Sequence, residues 1–531
     1  MAAWSDEPPC ASDPVPQTYR QAVDSPEGAE WHDAAQAEID SLALMHTWEL
    51  VKKPVDRQCL RGRWVFKRKI GPMGEILKYK ARWVIRGDMQ KEGVDFQEVY
   101  SSVVKSATWK LLLNMAAVED LDIEQMDVDT AFLYSELQEE VYMVQPEGFN
   151  DGSERVCRLK RALYGLKQAP RAWYFTLAVF LKSIGFSPCA ADSSVFFNEN
   201  KDVIIAVYVD DLLLFGRDPI AISRLKTSLN ERFLMKDLGP VSYYLGVYIQ
   251  RDRSQRILSL SQTAYMDKVL KDFQMTDATP VDTPMATDCK LRKAQDGYES
   301  PPEFRQRYQR AIGSIMYTML ISRPDIAYAV KILSQYSSNP DKSHWTAVQR
   351  VLRYLKGTKN AKLVFKGPRK QLNGYTDAAY KDDPDTRKST SGYCFNAGSA
   401  AFSWSSKKQS VITTSTTHSE FLGEFNAAKE AKFLIYLAKD LWPEVLTGPV
   451  PMISIRADNN GAIGIVKGTS GHSHSKHFDL MERLYLQQEE QLGNVSFSYV
   501  NTDLNVADIL TKPLAAPKFA RFREQLGVTT S

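Results

Sequence analysis

The chain has 531 residues, 44% hydrophobic and 25% charged, with a formal net charge of +3. This is an ordinary globular composition with core material for roughly three to four domain-sized units, which excludes a disordered or fibrous chain. The small charge excess means that any nucleic-acid binding must come from local basic patches.

Cys10, Cys59, Cys157, Cys189, Cys289 and Cys394 are scattered and form no CxxC pair. That argues against a zinc knuckle or a disulfide framework and fits a reducing setting. The N-terminus has no basic-then-apolar leader pattern, and without a run of about twenty apolar residues no membrane span is expected.

Residues 1–26, rich in Pro, Asp and Ser, read as a flexible tail. "GAEWHDAAQAEIDSLALMHTWEL" reads as a helix. A basic hairpin follows, with arms 64–70 and 76–86 around a Gly-Pro-Met-Gly turn at 71–74. "WKLLLNMAAVED" reads as a helix and "LDIEQMDVD" as a strand. In "PRAWYFTLAVFLKSIGF", Pro170 suits the first helical turn. Trp173, Leu177, Leu181 and Ile184 share a face, and Gly185 ends the helix.

Residues 203–215, "VIIAVYVDDLLLF", interrupt an apolar run with Asp210 and Asp211. Unpaired carboxylates are costly in an apolar interior, and adjacent ones repel. The pattern predicts a buried hairpin with both carboxylates at its tip. Asp is a common turn residue, but a tight hairpin usually includes Gly, so the sharper reading is a metal-binding tip. Such a tip needs a third carboxylate, and Asp127 in "QMDVDTAFLYSEL", at a strand end, supplies it. Three carboxylates around two Mg²⁺ ions can activate a sugar hydroxyl and stabilise a leaving pyrophosphate.

"MATDCKLRKAQDGYESPP" reads as a linker or exposed loop. "SHWTAVQRVLRYLKGT" is an amphipathic helix with Trp345, Val348, Leu352 and Leu355 on one stripe. A boundary falls near residue 368. Beyond it come three strands, a long helix that starts at "THSEF", and the strands "MISIRAD" and "VSFSYV". Residues 472–477, "HSHSKH", lack nearby cysteines and read as a loop. There are no internal repeats.

Several of these segments share a resemblance. "YVDD" resembles the catalytic box of reverse transcriptases, and "MDVDTAFL" their first aspartate motif. "ALYGLKQAPRAWY" is similar to the nucleotide-contacting segment of copia-type polymerases, and "VSYYLGVYI" resembles the primer-grip strand pair. "RPDIAYAV", "HWTAVQRVLRYLKGT", "DTRKSTSGYC", "SWSSKKQ" and "ADILTKPL" extend it. The chain resembles the reverse transcriptase and RNase H region of copia-type LTR-retrotransposon Pol polyproteins, from about residue 27 to about residue 515.

That resemblance implies a mixed α+β, right-hand polymerase followed by an RNase H-like α/β domain. Fingers and palm would occupy 27–250, thumb and connection 251–367, and the RNase H-like domain 368–531. Asp127, Asp210 and Asp211 would be the metal-binding polymerase triad. Phe132 would lie under the nucleotide sugar and exclude a 2′-hydroxyl, Gln168 would line the nucleotide pocket, and Lys67 and Arg82 would hold the triphosphate. Asp377, Glu420, Asp458 and Asp508 would hold two metals for hybrid cleavage, with Glu424, one turn on, the rival for the helix position. His477 would lie beside that site. Taken singly, Phe132 reads as core, Gln168 as a helix-start residue, Lys67 and Arg82 as a solvated face, and each acid as a cap or turn.

The implied cofactor is Mg²⁺, two per site, with Mn²⁺ as a substitute. The implied partners are an RNA template, a DNA primer, an RNA–DNA hybrid and dNTPs, with no membrane partner. An active element would be cytoplasmic, in a virus-like particle, with a nuclear location as the alternative. Tyr134-Ser135 departs from the family's usual turn, and Ser135 would be strained if that turn required φ > 0. "YSSV" at 100–103 and "THSEF" are further departures. No zinc knuckle, aspartic-protease site or integrase His-His-Cys-Cys pattern is found, so the chain is expected to be the C-terminal part of a Pol polyprotein. The rival readings are a catalytically silent, nucleic-acid-binding relic and a DNA-templated polymerase of another family.

Overall fold

The chain is described by a computed structural model over residues 15–70, 76–368, 371–446, 452–469 and 479–530. The expected turn at 71–74 and the 472–477 run, including His477, lie outside the described residues.

In chain order come α1 (Tyr19–Val23), α2 (Gly28–Leu44), β1 (Trp48–Val51), β2 (Cys59–Leu60), and the basic hairpin β3 (Gly62–Ile70) and β4 (Ile76–Ile85). Next are α3 (Ser106–Glu119), β5 (Asp122–Val128), β6 (Tyr142–Met143), β7 (Val156–Leu159) and α4 (Ala169–Ser183). Then come β8 (Phe186–Pro188), β9 (Val195–Asn198), β10 (Val203–Tyr208), β11 (Asp211–Gly216), α5 (Pro219–Arg232) and β12 (Met235–Pro240). The middle of the chain supplies β13 (Tyr243–Tyr244), β14 (Val247–Asp252), β15 (Ile257–Ser261), α6 (Thr263–Asp272), α7 (Pro302–Ile321), α8 (Ala327–Ser334), α9 (Lys342–Gly357) and β16 (Lys362–Phe365). The C-terminal part holds β17 (Asn373–Ala379), β18 (Thr390–Asn396), β19 (Ala401–Lys408), α10 (Thr416–Leu441), β20 (Ile453–Ala457) and α11 (Asn460–Val466). It ends with α12 (Leu480–Gln491), β21 (Val495–Tyr499), α13 (Ala516–Gln525) and β22 (Val528–Thr529).

The central sheet has the order β12-β5-β11-β10-β9-β8. Both of its faces are covered, which explains the apolar runs on either side of Asp210 and Asp211 in the β10–β11 hairpin. Ile205, Val207, Leu212 and Leu214 pack toward α4 and α5, with Trp173, Leu177 and Leu229. Ile204, Ala206, Leu213 and Phe215 pack the other way, toward Leu111, Leu112 and Met115 of α3. A middle sheet, β13-β14-β15-β16-β22, is antiparallel throughout. The C-terminal sheet has the order β19-β18-β17-β20-β21, with β17–β20 and β20–β21 parallel and the other pairs antiparallel.

One expectation is revised, and three further features are placed. The tail read as flexible to residue 26 contains α1, and Tyr19 packs edge-on against Phe149, ring centroids 5.6 Å apart. The segment read as a linker or exposed loop has no regular structure, is mostly exposed and is tied down at a few points. Leu291 is buried, its carbonyl accepts from the Tyr336 hydroxyl at 3.0 Å, and Lys293 N donates to Asp385 at 2.9 Å. The boundary expected at 250/251 falls inside β14. The short strand β22, which the sequence did not signal, completes the middle sheet against β16, so residues 368–531 are not self-contained. Among the described residues no helix is long and apolar enough to cross a membrane.

Candidate active sites

The first site is built by strand register. Asp127 of β5 lies directly opposite Asp211 of β11, and Lys236 of β12 lies opposite Asp127 on the other side. Directly opposed residues share a face, and like charges so placed destabilise a sheet. Lys236 is engaged by Asp129. Tyr208 pairs with Asp211, so the turn consists of Val209 and Asp210, and Asp211 opens the strand rather than sitting at the tip. The left-handed residue is Val209, at φ +58°, a strained conformation for a β-branched side chain. The buried Trp173 indole holds it by donating to the Val209 carbonyl at 2.7 Å, and Val128 N donates to the Asp210 carbonyl at 2.9 Å. Ser135, by contrast, has φ −101° and carries no such strain. Burial first, then the Asp210 charge, push the Asp127 carboxyl above its ordinary pKa.

The basic hairpin turns one face toward these acids. Trp64 opposes Trp83 and Phe66 opposes Ala81 on its buried face; Lys67 opposes Lys80 and Val65 opposes Arg82 on the other. Lys80 acts electrostatically on Asp127. Tyr164, unremarked in the sequence, ties the site together. The Arg82 guanidinium sits 4.6 Å from its ring centroid, Phe132 lies 4.5 Å from it, and its hydroxyl approaches Asp210 at 3.5 Å. Burial, then Asp210, push that hydroxyl's pKa up, so it stays protonated. Its backbone is set by β4: Ile85 N donates to the Tyr164 carbonyl at 2.9 Å. Gly165 beside it has φ +96°, and a Cβ there would lie 2.0 Å from the Ile85 carbonyl oxygen, so only glycine fits. Phe132 is 6% exposed. Gln168 is buried before α4, and its amide is committed to Gln90 at 3.0 Å and the Asp95 carbonyl at 2.9 Å.

The second site gathers acids from four elements. Asp377 is on β17, Asp458 directly follows β20, Glu420 is near the start of α10, and Asp508 lies in a 3-10 turn, Val506–Leu510. Asn505 places that turn by donating to the Thr376 carbonyl at 2.9 Å. Carboxylate oxygens of Asp377, Asp458 and Asp508 lie within 4.8 Å of one another, the one such trio of potential metal ligands among the described residues. Asp377 and Asp508 are buried. Burial pushes the Asp377 carboxyl up to about 7, Asp508 and Asp458 adding to it and Lys512 opposing. Burial, then Asp377 and Asp458, also push Glu420 well up. Lys512, one turn after Asp508, lies 2.7 Å from it and 3.6 Å from Asp377, and Lys518 lies 2.8 Å from Asp508. These lysines and Thr511, which donates to Asp377, were missed, although the i,i+4 spacing of Asp508 and Lys512 was a usable signal. Glu424 is fully buried with neither oxygen partnered, and burial followed by Glu490 raises its pKa; Glu420 is the helix acid that faces Asp377 and Asp458.

An oxygen-rich donor set with a buried, unpartnered Glu420 oxygen suits a hard divalent cation. The sign of its pH dependence follows from Asp377. A carboxyl raised to about 7 on folding destabilises the metal-free fold progressively as pH climbs from its unfolded value of about 4 toward 7, and a cation must displace its proton. Mg²⁺ should therefore raise the melting temperature clearly at pH 8 and little at pH 5.5. Equal shifts at both pH values, read by calorimetry, would contradict the assignment.

Residues 45–287 match the family described as "Reverse transcriptase (RNA-dependent DNA polymerase)". The chain is 39% identical over 526 residues to the retrovirus-related Pol polyprotein from transposon TNT 1-94 of Nicotiana tabacum, covering 98% of this chain and 39% of that one. It is 34% identical over 305 residues to a transposon Ty5-1 protein of Saccharomyces cerevisiae, covering 56% of this chain and 97% of that one. A solved foamy viral protease-reverse transcriptase in complex with double-stranded DNA aligns with TM-score 0.45 and 12% identity, over 89% of this chain and 70% of that one. The chain belongs to the copia-type retrotransposon Pol polyprotein family. It spans 39% of the length of the tobacco relative.

Proposed function

We propose that the chain is an RNA-directed DNA polymerase with an RNA–DNA hybrid ribonuclease module. The observation that carries the polymerase reading is Asp127 directly opposite Asp211, with Asp210 in the adjoining turn. The order and sense of the C-terminal strands, with four acids gathered from β17, α10, the residue after β20 and a 3-10 turn, support an RNase H-like domain. Mg²⁺, or Mn²⁺ in its place, when bound by Asp127, Asp210 and Asp211 or by Asp377, Glu420, Asp458 and Asp508, supplies Lewis-acid activation and charge stabilisation. The chain's own groups do the rest. Lys67, Lys80 and Arg82 offer cationic donors to a dNTP triphosphate, and Tyr164 holds Arg82 and Phe132 in register. Lys512 and Lys518 balance the second acid cluster. The substrates are an RNA template, a DNA primer and dNTPs, then the hybrid they form. All seven acids are present, which speaks against a silent relic. The test is primer extension on an RNA template by the purified chain with Mg²⁺; no extension on RNA while a DNA template is copied would overturn the reading.

Phe132, held against Tyr164, is proposed to lie under the sugar of the incoming nucleotide. Its ring leaves no room for a 2′-hydroxyl, so discrimination comes from a clash. In Phe132→Val, ribonucleotide use relative to deoxyribonucleotide use should rise at least about tenfold, roughly 1.4 kcal/mol of lost discrimination. Steady-state incorporation of matched nucleotides decides this; an unchanged ratio in a folded variant would leave Phe132 a packing residue only.

A further inference from the structure

Every residue of α3 from Thr108 to Val118 is buried. A helix buried all round has neighbours on every side, and here they come from three parts of the chain. Leu111, Leu112 and Met115 share one apolar cluster with Leu213 of the central sheet, Leu258 and Leu363 of the middle sheet, and Phe421, Leu434 and Ile455 of the C-terminal domain. Lys110 stands at the meeting point. It is 2% exposed, donates to the Leu320 carbonyl in the last turn of α7 at 2.9 Å, and places its ammonium 3.5 Å from the ring centroid of Trp404 on β19. Burial pushes the Lys110 pKa well down, with Glu430 opposing, so an ammonium here depends on compensating contacts. A helix C-terminus and an indole face both favour a cation.

The far end of α10 is fastened to the same region. Ala190 N donates to Asp440 at 2.9 Å, Lys201 Nζ to the Lys439 carbonyl at 3.2 Å, and the buried Trp442 indole to Glu119 at 3.3 Å. Lys105 sits 4.2 Å from the Phe433 ring centroid. Asp440 lies about 30 Å along the helix from Glu420, at about 1.5 Å per residue. One end of α10 thus carries an acid of the second cluster, and the other is fixed beside the sheet that carries the first.

We propose that α3 and α10 lock the two acid clusters into one rigid body, and that Lys110 is the positioning residue of that lock. A hybrid seated at Asp210 then meets the Asp377 cluster at one fixed spacing. The consequence for cleavage rests on the two-site reading above; the rigidity does not.

The experiment therefore has two arms, both on the full chain. In the first, spin labels replace the exposed residues Ser223 on α5 and Gln488 on α12, in a background with Cys10, Cys59 and Cys289 changed to Ser. The parent should give a single narrow distance distribution, and Lys110→Met, which keeps length but removes the ammonium, a broadened one. Asp440→Ala, a milder change, should broaden it less. A broad distribution in the parent, or an unchanged one in a folded Lys110→Met protein, overturns the lock. In the second arm, RNA cuts are mapped from the recessed DNA 3′ end of a long hybrid. They should cluster at one spacing in the parent and spread in Lys110→Met, while total cleavage of a short blunt hybrid stays unchanged. Cuts at the parental positions in the variant overturn the lock. A narrow distance with no cleavage of either hybrid supports the lock and overturns the ribonuclease reading.

Discussion

Primer extension by the Asp210→Asn protein should fall by at least about a thousandfold, ~4 kcal/mol of lost transition-state stabilisation, while cleavage of a preformed hybrid continues at the parental rate. The expectation comes from where the residue stands. Asp210 is one of two residues in a turn held by Trp173 and Val128. The amide should keep the shape of the turn and remove the charge a cation needs. The second cluster, to which hybrid cleavage is assigned by proposal, draws its acids from β17, α10, the residue after β20 and a 3-10 turn, none of which includes the β10–β11 turn. Equal loss of both activities in a folded variant would refute the assignment of two separate metal sites.

The converse variant is Asp458→Asn. Hybrid cleavage should fall by at least about a thousandfold, and synthesis on a short template should be spared. A second signature separates this from misfolding. The Asp377, Asp458 and Asp508 oxygens crowd within 4.8 Å, so removing one charge relieves repulsion in the metal-free protein. The metal-free variant should melt no lower than the parent and lose most of the Mg²⁺-induced rise in melting temperature. Cleavage at the parental rate, with the Mg²⁺ shift intact, would remove Asp458 from the site.

Elements with strong periodicity were legible in the sequence: the α4 and α9 stripes, the hairpin arms and the long α10 all occupy the segments expected. The candidate acids could be named because each terminates an apolar run or sits in an ordered motif. What could not be read was register. Asp211 against Asp127 is a pairing of distant strands, and without it Asp-Asp looked like a tip. In the structure Val209 takes a left-handed position of the kind that tight hairpins usually give to glycine. Tyr164 escaped notice because its role depends on a backbone contact with Ile85 and on Gly165 beside it. Gln168, a natural choice in a polar motif, has its amide committed to Gln90 and Asp95, a network no local pattern reveals. The polar segment before α7 read as a linker or exposed loop because its anchors, Asn339 and Asp385, lie far along the chain, in the connections between later elements.

The strand β22 carries a consequence for how the chain is assembled. It pairs Val528 with Leu363 of β16, and through β16 it closes a sheet whose other strands are complete by Phe365. Ordering that edge requires closure of a very long loop, and contacts of such sequence separation form late. Until Val528 and Thr529 pair with it, β16 presents an unpaired edge of backbone donors and acceptors, the kind of edge that recruits foreign strands. Synthesis of the polypeptide therefore passes through an interval in which the middle sheet is nearly finished yet open to misassociation, and β22 ends that interval.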